Sequence, residues 1–404
     1  MKKGSKIGII GGGSVGLYSA NLLLRNLENL EIDIIERHSS LGKKILASGN
    51  GKCNFTNKYV SPDHYNDRDF VAKIFKQYDI NDTLSFFKKL GLIYKFDEEG
   101  RGYPHSESAT SLLEVLELGL SDKVNSILNT TVEKIEVKEN KINLHFDNTY
   151  KEYDYVIIAS GNIASNLSSE SNNNYLRFLD LKSREINPSL VPLKTIENLR
   201  DISGLRFKGG VSLYGDDELL HKEEGEVLFK NDGVSGIVVL QMSHYLNKHK
   251  RSDYHLKFDF VTTLNKQELK KYLSSKKDLL VEDIFKGLLN TKLAKRLLRE
   301  SKINFDSRMV NSLREFEIEL LVNLVKEYRV NIKDTYPFEF AQVASGGILV
   351  SEISDDLSLK RYPNIFVGGE VMDINALSGG YNLQFSWSCA GVIAKALIER
   401  SKEE

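Results

Sequence analysis

The chain has 404 residues, 41% of them hydrophobic and 27% charged, with a formal net charge of -1. That composition belongs to folded globular proteins, excludes disordered and fibrous chains, and at roughly 100–200 residues per domain predicts two or three domains. Two cysteines, Cys53 and Cys389, are too few for a disulfide framework or a zinc site, and the eight histidines show no metal-binding spacing, so no metal is expected.

No apolar run reaches the roughly 18–20 residues that cross a bilayer. Met1-Lys2-Lys3 and the apolar stretch after it look like a secretion signal, but glycines break the stretch and it runs straight into a patterned helix. A cytoplasmic protein is expected. The near-neutral charge implies neither a nucleic-acid nor a membrane partner by itself.

In chain order, KIGII (6–10) reads as a buried strand, 14–28 as a helix with apolar Val15, Leu17, Leu22, Leu23, Leu24 and Leu27, and EIDIIE (31–36) as a second strand. The segment 37–62 is polar, glycine-rich and without period, and a loop of that length in a compact domain is usually functional. Helical patterns follow at 67–90 and 107–119, then an alternating hairpin at 131–137 and 141–147, then the buried strand YDYVIIASG (153–161). From 191 to 262 short strands with Gly and Asp/Asn turns predict a small barrel or sandwich. Helical periodicity takes over from about 263 to 332, and the βα style returns with NIFVGGE (364–370) and a final apolar helix over 378–399. The reading is one discontinuous α/β domain, 1–190 with 333–404, interrupted by a barrel-like insert at 191–262 and a helical insert at 263–332.

Gly11-x-Gly13-x-x-Gly16 stands between the first strand and the first helix. Gly11 permits a tight turn, Gly13 lets the backbone approach a pyrophosphate, and Gly16 lets helix and strand pack closely. The helix N-terminus, beginning at Ser14, offers free N–H groups to phosphates. Glu36 closes the second strand, 20 residues past Gly16, placed for ribose hydroxyls and against a 2′-phosphate. A second glycine turn, Gly368-Gly369-Glu370, precedes Ser378-Gly379-Gly380-Tyr381-Asn382 and another helix. NAD needs one such helix, whereas FAD is long enough to use two, so the pairing favours FAD over NAD. The loop 41–57, with its glycines (Gly49 among them), Ser48, Asn50, Asn54 and Thr56, supplies donors for a ribityl chain and ring, and holds Cys53, read either as a small buried residue or as a proton donor or redox partner.

GKKILASGNGKCNFTN (42–57), GRGYPHS (100–106), GEVLFKNDGVSG (225–236) and GGEVMDINALSGGYNLQFSWSCAG (368–391) together resemble a family of bacterial FAD-dependent oxidoreductases. That family includes bile-acid reductases, ribosomal-RNA dihydrouridine synthases and enzymes named aminoacetone oxidases. The similarity covers nearly the whole chain. It implies a glutathione-reductase-like, Rossmann-like FAD-binding domain with noncovalent FAD, interrupted by a β-barrel and a helical cap. Candidate cofactor contacts are Gly11, Gly13, Ser14, Gly16 and Glu36 at the first glycine turn, Ala159 and Gly161 at the end of the strand in 153–161, and Lys44, Ser48, Gly49, Asn54, Gly369, Glu370, Asp373, Gly380, Asn382 and Gln384 on the matched motifs; Cys53 and His105 are the catalytic candidates. The chain departs from the family at Ala159-Ser160-Gly161-Asn162, where ATGG is usual, and in NIASNLSSESNNNY after it, which lacks the usual Tyr-Pro and glycines.

No second GxGxxG occurs, so a nicotinamide donor, NAD(P)H, is expected to dock transiently at the flavin. Between 241 and 310 there are 16 Lys and Arg against 8 Asp and Glu. Lys292, Lys295, Arg296, Arg299 and Lys302 form the tightest group, either a solvated helix face or a contact for RNA phosphates. The leading expectation is a reductase that moves hydride from flavin N5 to an electron-poor C=C, with Cys53 as acid and ribosomal-RNA uridine as substrate. The alternatives are a steroid-like enone reductase, an oxidase of a small amine, and an FAD-containing RNA-binding factor without catalysis.

Overall fold

The computed structural model describes residues 5–120, 123–139, 141–164, 173–248 and 251–402. The chain divides into two compact units, residues 1–187 with 343–404, and residues 188–342.

The first unit is built on a five-stranded parallel sheet in the order 365–367, 155–158, 6–10, 31–35, 124–127. The strands Lys6–Ile10, Tyr155–Ile158 and Ile365–Val367 are buried on both faces, which is why they read as unbroken apolar runs rather than alternating ones. Chain order runs outward in both directions from the central strand Lys6–Ile10. The carboxyl end of that strand is therefore a topological switch point, where open α/β sheets bind ligands. Helix Ser14–Asn26 leaves from this point and packs along the 22-residue helix Tyr381–Lys402. An antiparallel meander of Lys134–Lys138, Lys141–Phe146 and Thr149–Tyr153 extends the expected hairpin by one strand.

Two expectations change in detail. The helical stretch 67–90 is two helices, Arg68–Gln77 and Ile80–Lys89. Asp79 separates them, because its carboxylate accepts the N–H groups of Asn81 and Asp82 and so starts a new helix. The loop 37–62 contains the short helix Lys43–Ala47, a distorted turn Ser48–Gly51 and the two-residue strand Thr56–Asn57, which pairs with Gly102 and Arg101.

The second unit is a closed six-stranded barrel in the order 193–195, 233–235, 218–230, 206–215, 254–259, 328–335. Its interior holds Val211, Leu213, Phe229 and Phe258, all fully buried. The expected division at 262 and 332 does not hold as a division in space. The closing strand Tyr328–Thr335 comes after the helical stretch and pairs with both Tyr254–Asp259 and Leu193–Thr195, so barrel and helices make one unit.

Candidate functional site

At the switch point each glycine of the first motif has a separate reason to be glycine. Gly11 has φ +104°, and a Cβ there would lie 2.5 Å from the Ala159 carbonyl oxygen on the neighbouring strand end. Gly16 brings the helix against the strand so closely that a Cβ would lie 2.1 Å from the Gly11 oxygen. Gly13 is different: a Cβ there would meet nothing within 4 Å. Gly13 is also the N-cap of helix Ser14–Asn26, and no side chain caps it. Open space in front of an uncapped helix N-terminus is the geometry that receives a diphosphate.

Glu36 stands beside this turn. Its Oε2 accepts the Gly12 N–H at 2.8 Å and its Oε1 accepts the His38 N–H at 2.9 Å. Both bonds fix the carboxylate, and each oxygen keeps acceptor capacity for the hydroxyls of a ribose. The residues therefore fit the adenosine diphosphate half of a dinucleotide.

A second group lies along the strand ends at 159–162 and 369–370. Lys44 Nζ donates to the Asn162 carbonyl at 2.6 Å and to Glu370 Oε2 at 3.1 Å. Asn162 Nδ2 donates to the Glu370 carbonyl at 3.3 Å, and a Cβ on Gly161 would come within 4.0 Å of Lys44 Nζ and Glu370 Oε2. Gly161 and Gly369 both have positive φ, 64° and 77°. Three chain segments more than 100 residues apart thus meet around one half-buried cation and one half-buried carboxylate.

The third group joins the glycine loop to the C-terminal helix. Gly49, Asn50, Gly51 and Cys53 all have positive φ, and for Asn50 (54°) and Cys53 (55°) that conformation is strained. In the orientation that satisfies both of its amide atoms, Asn54 donates to the Thr56 carbonyl at 2.9 Å and accepts the Gly380 N–H at 3.1 Å. Gly380, with φ +93°, fits so tightly that a Cβ would lie 2.4 Å from the Thr56 oxygen. Behind this contact lies a buried polar network. Thr56 Oγ1 donates to Gln384 Oε1 at 2.6 Å, while Gln384 Nε2 donates to Thr83 Oγ1 at 2.9 Å and Ser388 Oγ at 3.0 Å.

The catalytic candidates fall differently from expectation. Cys53 is fully buried, its N–H donates to the Ser48 carbonyl at 3.1 Å, and burial pushes its thiol up to about 11. Its side chain has no exposed surface, so its position gives no support to a role in touching substrate. His105 is exposed, beside the ion pairs that Glu107 makes with Lys52 (2.8 Å) and Lys95 (2.6 Å). Gln384 is fully buried and Asn382 spends its amide on Ala376 and Leu377, so both shape the site from behind. Ser48 closes its own turn through the Ile45 carbonyl at 2.6 Å. Asp373 is buried, accepts the Gly346 N–H at 3.1 Å and pairs with Arg184 at 2.9 Å; burial outweighs this partner and raises its carboxyl. Of the departing stretch at 159–175, residues 165–172 lie outside the described residues.

Sequence reasoning missed the role of Asn162 and an aromatic pair, His64 and Tyr381, whose rings stack 4.1 Å apart at 8°. The signal for the last was Tyr381 itself, an aromatic residue set directly after two glycines. A surface cleft of about 550 Å³ opens at the amino ends of strands Glu31–Ile35 and Val124–Ile127, the wrong end of the sheet for this chemistry, and holds none of the candidates.

In the second unit, Arg296 and Arg299 are engaged internally. Arg296 Nη1 meets Asp201 at 2.8 Å and its Nε pairs with Glu300, while Arg299 Nη2 meets the other Asp201 oxygen at 2.5 Å. Lys292, Lys295 and Lys302 are exposed.

The sheet, the switch point and the glycine turn define a Rossmann-type dinucleotide-binding protein. The HI0933-like protein Rossmann domain matches residues 5–396, and the chain belongs to that family, one of flavoprotein oxidoreductases. A 3-dehydro-bile acid delta(4,6)-reductase of Clostridium scindens is 31% identical, covering 98% of this chain and all of that protein. A ribosomal RNA dihydrouridine synthase of Haemophilus influenzae is 25% identical, covering 96% of this chain and 97% of that one. Among solved structures, the 3-ketosteroid delta1-dehydrogenase of Sterolibacterium denitrificans superposes with a TM-score of 0.51 at 10% identity, over 99% of this chain and 100% of that one, and shares the fold. Among the described residues, no helix is long and apolar enough to cross a membrane, and no group of three His, Cys, Asp or Glu side chains is placed to hold a metal.

Proposed function

We propose that this protein is an FAD-dependent reductase of a C=C bond conjugated to a carbonyl, with a small enone as substrate and a nicotinamide, NAD(P)H, as electron donor. The observation that carries the reading is the continuous run of cofactor-shaped groups from the Gly11–Gly16 turn, through Lys44 and Glu370, to Gly380 at the head of the C-terminal helix. That run suits a cofactor longer than a single nucleotide and reaching a second helix. Gly13 and Glu36 would hold the adenosine diphosphate half, and Lys44, Gly161 and Glu370 the middle. The loop 49–54 and the Gly380 turn would hold the ring.

When bound, the reduced flavin supplies hydride. The chain supplies orientation and charge. Lys44 balances Glu370, and the N-terminus of helix Tyr381–Lys402 favours negative charge at the ring edge.

The small enone is favoured by the relative sharing 31% identity, named for reduction of a dehydro bile acid, and by the pairing of Arg296 and Arg299 with Asp201 and Glu300, which offsets two of the five cations an RNA surface would need. Uridine in ribosomal RNA is the second reading. The names of two relatives at 25% identity favour it, as do the exposed Lys292, Lys295 and Lys302. The two share one chemistry, because C5=C6 of uracil is conjugated to C4=O as an enone alkene is to its ketone.

Light-reduced protein, kept free of air, is mixed in turn with a Δ4-3-keto steroid, with ribosomal RNA and with oxygen. Rapid oxidation of the flavin by the steroid is the expected result. Oxidation by RNA alone would move the assignment to uridine, and oxidation by oxygen alone would move it to an oxidase.

A further inference from the structure

The reduction adds hydride to one carbon of the C=C and a proton to the other. The proton needs a donor that reaches solvent-side space, and Cys53 does not. The ladder at the head of the C-terminal helix offers one. Residues 64–66 run antiparallel to 375–377, with Tyr65 bridged to Ala376, the Asn66 N–H on the Asn375 carbonyl at 3.0 Å and the Leu377 N–H on the His64 carbonyl at 3.0 Å. Tyr381 sits at the end of this ladder, as the first residue of the helix and next to Gly380, whose N–H meets the Asn54 side chain.

Tyr381 is held at both ends of its framework. The Tyr65 hydroxyl donates to its carbonyl at 2.7 Å, and its ring stacks on His64. His64 is fixed in turn, since its Nδ1 lies 3.1 Å from both the backbone N–H and the carbonyl of Ser61. The Tyr381 hydroxyl itself has no hydrogen-bond partner among the described residues, although the ring is half-buried. Burial keeps this phenol above its ordinary range and so protonated at neutral pH. The ring is packed against Gly379 and His64, one residue from the Asn54–Gly380 contact, and a rigid, protonated hydroxyl left unpaired there is what a donor to substrate requires.

Resting on the reductase reading, we propose that Tyr381 is the catalytic acid of the reaction, giving its hydroxyl proton to the carbon adjacent to the one that receives hydride. The π bond of the substrate is lost and two C–H bonds form. The substrate gains two electrons, which the reduced flavin gives up and a nicotinamide later restores. The Tyr381 oxygen recovers its proton from solvent.

Tyr381→Phe keeps the ring and its stack on His64, so the test uses that holoenzyme beside wild type. The variant is expected to retain its FAD and its rate of oxidation by oxygen. It should bind a Δ4-3-keto steroid in the oxidised state, seen as a perturbation of the flavin absorbance, with wild-type affinity. After light reduction, its oxidation by the steroid should be about 100-fold slower or worse. In D₂O, wild type should place deuterium on one face of the protonated carbon, and the variant on both. A variant oxidised by steroid at the wild-type rate overturns the proposal, as does equal slowing toward steroid and oxygen, or lost steroid binding, either of which marks a structural role. A wild type oxidised by neither steroid nor RNA overturns the reductase reading and this proposal with it.

Discussion

Gly13 and Gly16 stand three residues apart in one motif and do opposite things. Gly16 has no room for a methyl group, so Gly16→Ala should destabilise the first unit by about 1–3 kcal/mol through overpacking against the Gly11 carbonyl. Gly13 has room, so Gly13→Ala should keep the melting temperature near wild type while FAD affinity, measured by fluorescence titration, falls about tenfold or more. Equal loss of stability in both variants would remove the diphosphate from Gly13. Cys53 gives the complementary prediction. With its side chain sealed inside, Cys53→Ala should leave oxidation of the reduced flavin by enone within about threefold of wild type in the same anaerobic assay, the scale of a change that removes no contact to the reacting atoms.

Elements are joined by groups that no local pattern reveals. Gln384 ties helix Tyr381–Lys402 to strand Thr56–Asn57 through Thr56 and to helix Ile80–Lys89 through Thr83, and bonds Ser388 one turn along its own helix. Gln384→Leu should leave the Thr56 and Ser388 hydroxyls without their partner in a dry interior, while Thr83 keeps its bond to the Asp79 carbonyl, and cost about 2–3 kcal/mol in urea unfolding, with weaker FAD binding because Thr56 backs the Asn54–Gly380 contact. In the second unit Glu317 plays the corresponding part at the start of helix Glu315–Lys326. It is buried, Arg308 reaches it with two bonds of 2.8 Å, and the Arg314 backbone N–H adds a third at 2.8 Å. The Arg308 guanidinium holds its carboxyl near 2, below the unfolded value. A depressed carboxylate stabilises the fold above its unfolded pKa and loses that contribution as pH falls through its folded one. The urea midpoint of this unit should therefore drop between about pH 4.5 and 2, and Arg308→Ala should flatten that drop while costing about 3 kcal/mol at pH 7.

Across the whole molecule, what was legible in the sequence is what backbone geometry forces on residue type. The tight turn at Gly11, the helix–strand contact at Gly16 and the buried parallel strands each demand a narrow set of residues, so they show in any short window. The pairings that make the site do not. Lys44 meets Glu370 across 326 residues and Thr56 meets Gln384 across 328, and nothing in either local stretch specifies the other. The barrel was legible as strands, but its closure by Tyr328–Thr335 depends on a pairing that spans the helical stretch. The basic cluster shows the same gap: its helical spacing was readable, whereas Asp201, which takes up Arg296 and Arg299, lies 95 and 98 residues away.

The central claim is that this fold spends a reduced flavin on a conjugated C=C. A single-turnover mixture of light-reduced holoenzyme and a Δ4-3-keto steroid, held free of oxygen and analysed by mass spectrometry, tests it directly. Each flavin returned to its oxidised spectrum is expected to be matched by one steroid molecule that has gained two hydrogens at the former double bond. Flavin that stays reduced, or that oxidises while the steroid is recovered unchanged, would contradict it.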